Sequence, residues 1–216
     1  MPEALFSTYR ERLPEVTFVL FGHETSPSRC TLKAYLEYYD LTPDRGSAEG
    51  DESVLMHLGC KWDAARPDRR AVTRYTWFPE IAMARILERL QALDRPGSGQ
   101  GVGLEAITEL FLTAANRVDR KRVFYLEVAD EGSPRKSVDI NLYTAGLTIR
   151  SVEGPLLVLG EHYGIPTEEM RGLHDRIVDA SLGHIACGFD GRGRPFFTLY
   201  YELPGDQPVR RAASTS

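Results

Sequence analysis

Residues 16–39 read VTFVLFGHETSPSRCTLKAYLEYY: a strand-like run, a polar turn with Ser and Pro, an arginine, then a second strand-like run. This is the pattern of a β-hairpin. It recurs at 54–79 (VLMHLGCKWDAARPDRRAVTRYTWFP), 122–146 (RVFYLEVADEGSPRKSVDINLYTAG) and 184–204 (HIACGFDGRGRPFFTLYYELP). Four copies of one supersecondary unit make a structural repeat, although the copies share little sequence identity.

Aligning the second strand of each hairpin on its turn arginine (Arg29, Arg69, Arg135, Arg194) and counting in twos keeps to one face of the sheet. That face carries Lys33, Tyr35 and Glu37 in the first hairpin, Thr73, Tyr75 and Trp77 in the second, Asp139, Asn141 and Tyr143 in the third, and Thr198, Tyr200 and Glu202 in the fourth. Polar residues and tyrosine dominate it. The alternate positions are mostly apolar (Leu32, Ala34, Leu36, Val72, Phe78, Val138, Ile140, Leu142, Phe197, Leu199), with Arg74 as the exception.

Working outward, residues 80–93 (EIAMARILERLQAL), 103–117 (GLEAITELFLTAANR), 152–165 (VEGPLLVLGEHYGI) and 167–181 (TEEMRGLHDRIVDAS) space their apolar residues by three and four, as amphipathic helices do. Thr167 is the expected N-cap of the last, and EALFSTYRERL (3–13) reads as a short helix. The glycines at 97, 99, 101 and 103 read as a linker, since they follow a helix and lack the spacing of a dinucleotide fingerprint. Residues 40–53 read as an exposed connector. Helices need an apolar surface, so they are expected on the apolar face of the sheet, with the tyrosine-rich face turned away from them. The expected fold class is therefore α+β: an antiparallel β-barrel or strongly curved sheet of about eight strands, in four hairpins, with amphipathic helices packed on the outer face. One domain spans 1–204, followed by a flexible tail at 205–216. The tyrosine face is either the solvated side of an open sheet or the lining of a ligand-holding lumen.

Composition narrows the function. The chain has 216 residues, 42% hydrophobic and 26% charged, enough for a sizeable core. With 26 Lys+Arg against 31 Asp+Glu the net charge is −5, which leaves no basic excess for an extended nucleic-acid surface. No run of about 18 apolar residues suggests a membrane span, and the opening MPEALFSTYRERLPE lacks the order of a signal peptide, so a soluble cytoplasmic protein is expected. Cys30, Cys60 and Cys187 have no C-x-x-C spacing and read as buried thiols, and no His spacing points to a metal.

The hairpins resemble those of the aromatic prenyltransferases with the ββαα barrel, closest to the indole (dimethylallyltryptophan synthase) branch, of which this chain would be a short, divergent member. The resemblance rests on TLKAYLEYY (31–39), RYTWFP (74–79) leading into a helix, SPRKSVDINLY (133–143) and HIACGFDGRGRPFFTLYYELP (184–204), about two thirds of the chain. It implies a secondary-metabolism transferase that moves an allylic prenyl group from its diphosphate to an indole- or phenol-type small molecule or peptide side chain. The prenyl diphosphate would be a co-substrate, with no metal or other cofactor.

On this reading Arg29, Lys33, Lys61 and Arg69 bind the diphosphate, because departing pyrophosphate needs cationic partners. Tyr35, Tyr75, Trp77, Tyr143 and Tyr200 line the cavity and shield the allyl cation with their ring faces. A carboxylate takes the proton lost as the aromatic ring is restored: Asp139 first, with Glu127 and Glu37 as rivals. The family has five repeats where four are counted here, and Asp139, Asn141 and Thr198 stand where it favours Lys or Tyr. That leaves open a smaller closed barrel, a barrel completed in a homodimer, or a non-prenylating cavity protein on the same scaffold, such as a cyclase, isomerase or carrier for a hydrophobic natural product.

Overall fold

A computed structural model describes residues 1–26, 29–38, 52–94, 101–118 and 123–202. They form α1 (Glu3–Arg12), β1 (Phe18–Ser26), β2 (Arg29–Glu37), β3 (Val54–Asp63), β4 (Arg70–Trp77), α2 (Met83–Gln91), α3 (Gly101–Ala115), β5 (Phe124–Asp130), β6 (Lys136–Asn141), α4 (Glu153–His162), α5 (Thr167–Ile177), β7 (Ser181–Phe189) and β8 (Pro195–Glu202). The eight strands are antiparallel and neighbours in chain order, in one curled half-barrel sheet. All four hairpins form, and the fold is α+β with a curved sheet. Most of the expected connector at 40–53 and the tail at 205–216 lie outside the described residues.

The chain divides into two compact units. The first comprises Met1–Ile86, Phe124–Asp139 and Ala186–Phe197. In it the apolar positions of β2 and β3 pack as the alternation requires: Ala34 and Cys60 against Leu5 of α1, and Leu36 and Leu58 against Tyr38. Leu5 is the one buried residue of α1, 2% exposed, and its burial is worth about 2 kcal/mol, while Tyr9 of the same helix packs part-buried against both clusters. Glu3 in its first turn and Arg10 and Arg12 in its last suit the helix dipole. Gly188 of β7 has φ +138°, and a Cβ there would lie 2.3 Å from the Lys136 carbonyl oxygen, so only glycine lets β7 approach β6 at this point.

The second unit comprises Leu87–Val123, Ile140–Ile185 and Thr198–Ser216. Two sequence expectations change here. Gly101 and Gly103 belong to α3 rather than to a linker: a Cβ on Gly103 would meet the His162 ring at 2.7 Å, so the glycine serves the close approach of α3 to α4. Thr167 is the first residue of α5 and not its N-cap. Pro166 takes the cap position with extended backbone, and its carbonyl accepts the Met170 N–H.

Candidate functional site

The tyrosine face of the first unit is built in cross-strand rows. Gly22, Lys33, Lys61 and Ala71 lie opposite one another across β1 to β4, Leu20, Tyr35, Gly59 and Thr73 form the next row, and Phe18, Glu37, His57 and Tyr75 the third. A bulge in β3 between Leu55 and His57 re-aims that strand, as bulges do near sites. Gly59 is the low point of the face. A Cβ there would stand 3.1 Å from the Tyr35 ring and 3.5 Å from that of Tyr75, so the missing side chain lets both rings lean inward. They meet edge-on at 6.0 Å, and His57 meets Tyr75 the same way at 5.7 Å.

Three cations share this face. Lys33 Nζ is paired with the Glu24 carboxylate. Lys61 Nζ donates to the Tyr75 hydroxyl at 3.3 Å and lies 5.6 Å from its ring centroid. Arg135, in the turn before β6, donates from Nε to Ser137 Oγ, stands 3.6 Å from Asp130 and lies over the Phe196 ring. Asp130 in turn accepts the Thr73 hydroxyl at 2.6 Å.

Burial and these charges set the protonation states. Burial pushes the Lys61 ammonium down to about 8, with Arg135 and Lys33 adding to the shift against Asp130 and Glu24. Burial lowers His57 to about 4 against the opposing charge of Asp139, so the imidazole is neutral at pH 7; its Nδ1 lies 3.5 Å from Glu37. The Tyr75 phenol is held well above its ordinary value by burial and by Tyr35. Partial burial pushes the Glu24 carboxyl up, but the hydrogen bond and charge of Lys33, with the charges of Lys61 and Arg135, together hold it below the usual range.

The expected site residues sort accordingly. Lys33, Lys61, Tyr35, Tyr75 and Glu37 share this face by register, and Asp139 of β6 lies near enough for its charge to act on both His57 and Tyr75. Glu127 does not: it pairs with Thr76, whereas Tyr75 pairs with Val128, so Glu127 stands on the other face, where the Tyr125 hydroxyl reaches it. Arg29 leans on Asp63 at 3.6 Å at the hairpin end. Arg69 precedes β4 in an exposed turn, its backbone bonded to Asp63. Trp77 is 4% exposed, packed with Met56 and Leu126 and stacked on Phe124, so it fills core rather than shielding a ligand.

Tyr143 is not on a strand, because β6 ends at Asn141, whose side chain accepts the Tyr143 N–H and turns the chain. Within the second unit Tyr143 joins a separate aromatic group: His184 stacks on Tyr200 at 3.8 Å and 8°, and Tyr143 lies 6.2 Å from His184. Glu24, Gly59 and the Thr73–Asp130 pair escaped the sequence reading. Gly59 had a signal, a glycine inside a strand of bulky residues, which marks a close approach. An open groove of about 550 Å³ between the end of α2 and α3, lined by Asp94, Leu104, Glu105, Glu109 and Leu112, also belongs to the second unit. Among the described residues no helix is long and apolar enough to cross a membrane.

No family model and no curated protein matches the chain.

Proposed function

We propose that the tyrosine face of the first unit binds an allylic diphosphate and transfers its allyl group to an aromatic acceptor. The observation that carries this reading is the convergence of Lys33, Lys61 and Arg135 beside the Tyr35 and Tyr75 rings. A lone basic residue would suit many ligands, whereas three cations next to two electron-rich rings suit a polyanion joined to a group that becomes cationic.

In the reaction the bond between the allylic carbon and the diphosphate oxygen breaks, its electron pair leaving with pyrophosphate. Lys33, Lys61 and Arg135 stabilise that developing charge, and binding of the anion would restore full protonation of Lys61. Tyr35 and Tyr75 would shelter the allyl cation from water until an acceptor ring carbon attacks it. Asp139 then takes the ring proton, with Glu37 as the rival base on the tyrosine face.

Calorimetry with dimethylallyl diphosphate tests the reading. Binding is expected, weakened in Lys33→Ala by about 1.5–3 kcal/mol, the scale of a charge-assisted hydrogen bond. No binding at millimolar ligand overturns it.

A further inference from the structure

Lysine is scarce in this chain. Of its 26 Lys+Arg, only Lys33, Lys61, Lys121 and Lys136 are lysines. Two of these four are direct cross-strand partners on the tyrosine face, in a protein that meets nearly every other cationic need with arginine. The two amines sit differently. Lys33 holds Glu24 as counter-ion, while Lys61, deeper in the face, makes no ion pair among the described residues and has a phenol as its hydrogen-bond partner.

The groups facing Lys61 are Glu24 on β1, Lys33 on β2, Tyr75 on β4, Asp130 at the end of β5 and Arg135 before β6. Asp130 and Glu24 oppose the repulsion from Arg135 and Lys33, and the neutral phenol adds one hydrogen bond, so the cost of taking the ammonium out of water is left uncompensated. An arginine here would stay charged, but a lysine can give up its proton and become a nucleophile.

We propose that Lys61 is a nucleophilic amine that forms an imine with a small carbonyl compound bearing an anionic group, such as a phosphate or carboxylate. Lys33 and Arg135, whose charges bear on Lys61, would receive the anion. The neutral amine adds to the carbonyl carbon, forming the N–C bond while the C=O π pair moves to oxygen, and one amine proton transfers to that oxygen. The C–O bond of the resulting carbinolamine then breaks, with Tyr75 supplying the proton that lets oxygen leave as water. The remaining proton on nitrogen returns to Tyr75. The sum is amine plus carbonyl giving imine plus water, with no change of oxidation state. A phenol held well above its ordinary pKa is fully protonated at neutral pH, so it carries the proton that the departing oxygen needs, and its phenolate is basic enough to take the proton back from nitrogen. The downward shift of Lys61 to about 8 supports the same assignment, since it frees on the order of 100-fold more amine at neutral pH than an ordinary lysine has.

The inference shares its side chains with the prenyl-transfer reading and does not depend on it. The test uses the full-length protein, pyridoxal 5′-phosphate as an anionic aldehyde probe, and borohydride to reduce any imine to a stable secondary amine, with adducts located by peptide mass mapping. At pH 7.5 the adduct is expected at Lys61 with at least about 10-fold preference over each of the other three lysines, and lost in Lys61→Arg. Pyridoxal, which lacks the phosphate, should react at Lys61 at least several-fold more slowly. If Lys61→Arg does not fold, the pH dependence of labelling in the wild-type protein serves instead, with half-maximal rate at Lys61 near 8. Adducts spread over the four lysines, or a Lys61 profile still rising at pH 10, overturn the proposal. Calorimetry with dimethylallyl diphosphate separates the two readings: a Lys61 adduct in a protein that binds no allylic diphosphate upholds the imine and counts against prenyl transfer.

Discussion

Lys61→Met should make the ligand-free protein more stable at neutral pH. The folded-state pKa of Lys61 is about 8, against 10.5 for an unperturbed lysine, so between these values the unfolded chain binds a proton that the folded chain has released. Stability therefore rises with pH from about 8 to 10.5, and at pH 7 the whole penalty is present. At about 1.4 kcal/mol per pKa unit, that displacement is worth roughly 3 kcal/mol. Methionine keeps the unbranched shape and relieves the repulsion from Lys33 and Arg135, but leaves the Tyr75 hydroxyl without its donor, a loss of about 1 kcal/mol. The expected net gain is about 1–2.5 kcal/mol at pH 7, shrinking towards zero or below by pH 10. Urea denaturation of both proteins at the two pH values measures it, provided the slope with denaturant is unchanged. A Lys61→Met protein that is less stable than wild type at pH 7 would refute the reasoning, because Lys61 would then be a structural cation, not one held against its own desolvation.

Four further outcomes are expected. His57, lowered to about 4, binds a proton in the unfolded chain but not in the folded one between about pH 6.5 and 4, so stability falls on acidification across that window; His57→Gln should flatten up to about 3 kcal/mol of the loss in an acid titration followed by circular dichroism. Thr73→Val removes the hydroxyl bonded to Asp130 at 2.6 Å beside Arg135 and should cost about 1–3 kcal/mol in denaturant melts, whereas Thr73→Ser should recover most of it. Gly188→Ala places a Cβ against the Lys136 backbone at a positive φ, and a cost above about 3 kcal/mol, or loss of folded protein on expression, is expected. Asp139→Asn, tested on an identified acceptor, should lower turnover by roughly 10²–10⁴-fold with the fold intact; unchanged turnover would remove Asp139 from the chemistry.

What this sequence determines by itself is whatever is written in local period. Alternation by two placed Lys33, Tyr35 and Glu37 on one face of β2 and Ala34 and Leu36 on the other, because successive side chains of a strand point to opposite sides whatever the strand pairs with. Spacing by three and four marked the helices to within a few residues for the same reason. Tertiary structure decided the rest, which depends on pairs of strands and on neighbours far along the chain. Register between β4 and β5 turned Glu127 to the face opposite Tyr75, and a one-residue slip would have reversed it, a choice that no single strand encodes. The Asn141 side chain ended β6 before Tyr143 could join it, and Asp63 drew Arg29 to the hairpin end. The character of Lys61 is likewise not in its own stretch, LGCKWD: it comes from the burial and the charges that β1, β2, β4, β5 and the turn before β6 bring around one amine, since desolvation and Coulomb energy depend on distance in space and not along the chain.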